Sequence, residues 1–117
     1  MTNAERIHTI TADVSKRFPE FEIAEDMEGL PTVTFGFLTD HLIRSFREGN
    51  ISVVMSFIDL VNDLFRSDDF IARSCLDELV ISLHSEAGDV YTGFRKQVPA
   101  EVSDYFSTTI HMWTSQK

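Results

Sequence analysis

The apolar positions of this chain recur with the period of an α-helix over most of its length. From Ala4 to Phe18, the residues Ile7, Ile10, Val14 and Phe18 form one stripe, with Glu5, Arg6, Asp13, Lys16 and Arg17 around it. Pro19 should end that helix, because a residue before proline is pushed out of the α region. A second stripe, Phe35, Leu38, Leu42, Ile43 and Phe46, runs up to the stop signal Gly49-Asn50. Ile51 to Arg66 is the most apolar element. Val54, Phe57, Ile58, Val61, Leu64 and Phe65 make its stripe, and Ile51, Val53, Met55 and Leu60 widen it. That predicts a central helix covered on more than one side, with Asn50 as its N-cap. The next helix should start with Ser67 or Asp68 as cap, bury Ala72, Cys75, Leu76, Leu79, Val80 and Leu83, and break at Gly88. On its polar side Asp69-Arg73-Asp77 reads as a ladder of ion pairs. Pro99 opens a last helix that carries Val102, Tyr105, Phe106, Ile110 and Trp113.

The pattern is ambiguous in two places. Thr32-Val33-Thr34-Phe35-Gly36 is β-branched and aromatic, so residues 32–35 could be a short strand or the lead-in to the following helix. Asp89 to Val98 holds Val90, Tyr91 and Phe94 but is too short for its period to be read. Glu20 to Gly29 reads as a loop. Long strand-like alternation is missing. The expectation is an all-α fold: one helical domain over residues 1–117, a bundle of about five helices with short connections.

Composition leaves this picture intact and charge sharpens it. Of 117 residues, 43% are hydrophobic and 25% charged, which are globular proportions. The 19 Asp and Glu outnumber the 10 Lys and Arg, for a net charge of -9. Direct nucleic-acid binding is therefore not expected, since phosphate contacts need clustered bases and the chain offers only the pairs Lys16-Arg17 and Arg95-Lys96. An acidic surface instead steers a basic partner toward itself. The first residues, Met1 to Arg6, lack the basic start and apolar core of a signal peptide. No apolar run approaches the ~20 residues of a membrane span. A single cysteine, Cys75, fits a reducing compartment. The expected location is the cytoplasm, without membrane contact.

The residues that could carry chemistry are dispersed. His8, His41, His84 and His111 stand alone, none spaced for a helical zinc site. Cys75 lies on an apolar stripe and reads as a core thiol. Asp59 and Asp63 are one turn apart and could share a cation, but such a pair reads first as a solvated face. Phosphate-binding glycine loops, a Gly-x-Ser-x-Gly elbow and Glu-x-x-His pairs are all missing. Neither an enzyme, nor a metal, nor a cofactor is expected. What stands out is acid. Glu20, Glu22, Glu25, Asp26 and Glu28 interleave with Phe21, Ile23 and Met27, and Asp59, Asp63, Asp68 and Asp69 gather later. Apolar anchors beside steering charges make a binding patch, so these nine acids are the candidate partner contacts.

Phe18-Pro19-Glu20-Phe21, the acidic run, Gly29-Leu30-Pro31 and Phe35-Gly36-Phe37-Leu38 together resemble the N-terminal region of small helical bacterial proteins of immunity type. Those proteins accompany polymorphic toxins, including toxins of contact-dependent growth inhibition. The resemblance covers about 20 residues. It brings no catalytic residue with it. It implies a protein that binds a cognate basic toxin domain, a nuclease by preference, and neutralises it through an acidic surface. The alternative is an acidic helical adaptor that binds a basic cellular protein or self-associates.

Overall fold

The computed structural model describes residues 2–23 and 29–116. Among them are six α-helices and no strand: α1 (Asn3–Arg17), α2 (Pro31–Arg47), α3 (Ile51–Ser67), α4 (Phe70–Glu86), α5 (Gly88–Arg95) and α6 (Ala100–Ser115). The fold is all-α as expected. The extra helix is α5, in the stretch whose period was too short to read.

Local chemistry sets each boundary. The Thr2 hydroxyl oxygen accepts from the Glu5 N–H and donates to the Glu5 carboxylate, which caps α1. Phe18, before Pro19, ends the helix. Residues 32–36 belong to α2, not to a strand. Pro31 at the first helical position supplies a fixed φ, and Phe35, Leu38, Leu42 and Ile43 bury one helical stripe, which outweighs the β-branched preference of three residues. At the other end Gly49 takes a left-handed conformation with φ 71. This lets the Asn50 N–H reach the Ser45 carbonyl at 2.9 Å and the Gly49 N–H reach Phe46 at 3.2 Å, a Schellman closure. Asn50 then caps α3, accepting from the Val53 N–H at 3.3 Å.

The α3–α4 corner falls later than its sequence suggests. Ser67 still belongs to α3, its hydroxyl donating to the Asp63 carbonyl at 2.8 Å. Asp68 takes the left-handed turn position with φ 50, and Asp69 is the cap of α4, accepting from the Ala72 N–H at 2.9 Å. The cap is thus neither Ser67 nor Asp68. At the far end α4 stops before Ala87, whose extended backbone makes the break that Gly88 was expected to make; Gly88 instead opens α5.

The central helix is α4, not α3. It packs against all five other helices and fully buries Ala72, Cys75, Leu76, Leu79, Val80 and Leu83. On α3 only the stripe Val54, Phe57, Leu60, Val61 and Leu64 is buried, while Ile51 and Met55 near its start are exposed. Buried side chains of all six helices join in one contiguous core. Gly93 of α5 permits a close approach there, because a Cβ at that position would lie 2.7 Å from the Phe46 ring of α2.

Candidate functional site

The predicted acids divide by what their neighbours do with them. Asp63 pairs with Arg17, which also holds Asp13 at 2.8 Å. Asp68 pairs with Arg73 at 3.1 Å and Asp69 with Arg6 at 3.0 Å. The Asp63 and Asp69 pairs pin α1 to the α3–α4 corner, and the Asp68 pair ties the corner to α4. Burial pushes the Asp69 carboxyl up, but hydrogen bonds from the Ala72 N–H and from Arg6 more than offset this and hold it below the usual range. The Asp69-Arg73-Asp77 ladder does not assemble as a ladder. Asp69 turns to Arg6, Arg73 to Asp68 and the Phe65 carbonyl, and Asp77 accepts from the Tyr105 hydroxyl at 2.6 Å. The Arg73 guanidinium lies 4.6 Å from the Phe65 ring centroid and 4.8 Å from that of Tyr105.

In the first acidic run, Glu20 bonds His41 at 2.8 Å. His41 stacks on Phe21 and touches Phe18 and Phe57, so Phe18 and Phe21 after α1 are held in an aromatic cluster. Glu22 is exposed. Glu25, Asp26 and Glu28 lie outside the described residues. Asp59 is exposed on α3. Cys75 is fully buried and its thiol is pushed up to about 12, mainly by that burial, so it is an unreactive core residue at neutral pH.

The packing of α2 on α4 creates a second acidic site. Thr32, Val33, Gly36, Phe37 and Asp40 of α2 face Glu78, Ser82 and Glu86 of α4 across an open groove of about 260 Å³. Its apolar residues are Val33 and Phe37, 40% and 56% exposed, and Leu30, 52% exposed, precedes them at helical spacing outside the groove lining. The acids come from both helices, Asp40 from α2 and Glu78 and Glu86 from α4, and Asp40 and Glu86 are exposed. Desolvation, the adjoining Asp40 carboxyl and the charge of Glu78 push the Glu86 carboxyl up. Glu78 accepts from the Ser82 hydroxyl at 3.2 Å, and its Oε1 lies 3.6 Å from where a Cβ on Gly36 would stand. Among the described residues, no arginine or lysine forms an ion pair with Asp40, Glu78 or Glu86.

This site escaped the sequence reading because its acids are far apart in the chain. One signal was present. Leu30, Val33 and Phe37 form an apolar line on α2 separate from the core stripe of Phe35, Leu38 and Leu42, and a second stripe on a helix needs a second thing to cover it. The acids complementing it could not be picked from the 19 available.

Among the described residues, no group of three or more His, Cys, Asp or Glu is arranged to hold a metal ion, and no helix is long and apolar enough to cross a membrane. What the groove offers is an apolar ledge, Val33 and Phe37, beside the carboxylates of Asp40, Glu78 and Glu86. Compared with known families, curated proteins and solved structures, the chain matches none.

Proposed function

We propose that this chain is a binding protein, not an enzyme, which neutralises a basic partner domain by covering it, as an immunity protein covers its cognate toxin. The observation that carries the reading is the α2–α4 groove. Three carboxylates with no ion-paired lysine or arginine among the described residues adjoin the exposed Val33 and Phe37. Adjoining carboxyls cannot both ionise cheaply, and a partner's cation relieves that repulsion as it docks. The apolar ledge supplies contact energy and the net charge of -9 speeds the encounter. Exposed Glu22 and Asp59 add to that field. The resemblance of residues 18–38 to immunity-type proteins supports a toxin domain as the partner. It also fits a cytoplasmic setting, where Cys75 stays reduced. A basic domain that cleaves nucleic acid, a nuclease, is the partner that an acidic cover would block most directly, because its substrate is a polyanion.

The test is capture, at low ionic strength, of the product of the gene immediately upstream, which the reading expects to end in a toxin domain. A complex that weakens with added salt, and weakens again in the double variant Glu78→Lys/Glu86→Lys, is the expected result. No complex at low salt would overturn the reading.

A further inference from the structure

The partner's contact chemistry can be narrowed, on the footing that the groove is where the partner docks. We infer that the α2–α4 groove receives an arginine side chain of the partner in preference to a lysine, with Phe37 as the stacking surface and Asp40, Glu78 and Glu86 as the carboxylate set. Three features of the groove point this way. Its carboxylates are spread over two helices: Asp40 comes from α2, Glu78 and Glu86 from α4. A planar guanidinium with five donors can address separated carboxylates at once, whereas an ammonium is a compact point charge. The Phe37 ring is 56% exposed at the rim, and an aromatic face beside carboxylates attracts the flat, weakly hydrated guanidinium. Gly36 puts no side chain into the groove, where a Cβ would stand 3.6 Å from the Glu78 Oε1 and a larger residue would project toward that carboxylate.

The same chain already holds one guanidinium in this way. Arg73 rests on the Phe65 and Tyr105 rings with Asp68 as its counter-ion. The groove repeats the aromatic and carboxylate parts, and among the described residues it has no arginine of its own to fill them.

The probes are three capped nonapeptides of alanine and serine, identical except for a central arginine, lysine or citrulline. Each is titrated into the isotope-labelled full chain and followed by amide chemical shifts. The arginine peptide should shift Gly36, Phe37 and Ser82 and bind about 2- to 5-fold more tightly than the lysine peptide, the factor an exposed cation–π contact supplies. Citrulline, which keeps the shape and loses the charge, should leave these amides unmoved. Phe37→Leu should bring arginine and lysine level, while a spectrum otherwise unchanged shows that it still folds. Equal binding of arginine and lysine by the native chain overturns the inference but leaves the docking of a basic partner standing. Arginine shifts that fall elsewhere, or survive Glu78→Gln/Glu86→Gln unchanged, overturn it too. Failure of the upstream toxin domain to bind at all, with the arginine preference intact, instead removes the proposed partner and keeps the site.

Discussion

Two acidic regions of this protein share a residue type and differ in what they do. At the α3–α4 corner Asp63, Asp68 and Asp69 each meet an arginine, and Asp69 also caps a helix. In the α2–α4 groove Asp40, Glu78 and Glu86 meet each other and an exposed phenylalanine. The corner acids serve the fold. The groove acids oppose it slightly, since like charges are brought together with no ion-paired lysine or arginine among the described residues. An acidic residue held against its electrostatic preference has its natural complement outside the chain, which is why the groove, and not the larger number of acids elsewhere, is the candidate site.

The scale for testing this contrast is set by the core beneath both regions. Leu76→Ala and Phe57→Ala remove fully buried side chains and should each cost about 2–5 kcal/mol in chemical denaturation. A loss below about 1 kcal/mol in either would mean that the packing described is wrong. Next comes the corner. Asp69→Ala deletes a cap and the Arg6 partner together, and should cost about 0.5–2 kcal/mol, most of it from the cap because the ion pair is partly exposed. The groove should behave in the opposite sense. Glu86→Gln removes a repelled charge and should leave stability unchanged or raise it by up to about 0.5 kcal/mol. If Glu86→Gln destabilised as much as Asp69→Ala, the two regions would be alike and the comparison would collapse. With the partner in hand, Glu78→Lys/Glu86→Lys should slow association roughly tenfold at low salt, within the range that charge steering supplies, and Asp59→Lys should slow it much less. Equal slowing by both variants would place the contact outside the groove.

The regions should also part with pH. Asp69 has its carboxyl held low in the folded state, so its contribution is complete above the ordinary Asp value and is lost as pH falls through the folded one. Glu20 follows the same sign; burial alone would raise it, but its backbone hydrogen bond and His41 win. Glu86 has its carboxyl held high, so its proton favours the folded state below the ordinary Glu value, and that contribution is lost as pH rises through the folded one. Carboxyl titrations followed by NMR should therefore show Glu86 titrating above, and Asp69 and Glu20 below, an unfolded reference. If Glu86 titrates with the ordinary glutamates, Asp40 and Glu78 do not stand against it in solution.

Much of the framework follows from the chain alone. The 3.6-residue period placed the main stripes of α1, α2, α3, α4 and α6, and the side chain of Asn50 capped the helix it precedes, because these are local events between residues a few positions apart. Cys75 was legible as a core thiol for the same reason: its place on a stripe already implied burial. The sequence read less well where two local signals competed. Residues 32–36 carry strand-like side chains at a helix start, and Ser67, Asp68 and Asp69 are all capping types. There, burial of the α2 stripe and the turn geometry at Asp68 made the choice. Which helix lies at the centre was also a tertiary outcome. The more apolar α3 left Ile51 and Met55 exposed, while α4 gained neighbours on every side.

The candidate site lies at the far end of that scale. The sequence determined that the chain is acidic, that it folds as helices, and that α2 has an apolar line to spare. Only the packing of α2 on α4 decided that Asp40 would meet Glu86 and that Phe37 would stand beside them. The tertiary contacts likewise directed Arg6, Arg17 and Arg73 to the corner acids and none of them to the groove. The physical reason is range. Helix period and capping act within one or two turns of chain, but the energy of a charge depends on every neighbour the fold brings near it, whatever the separation in sequence.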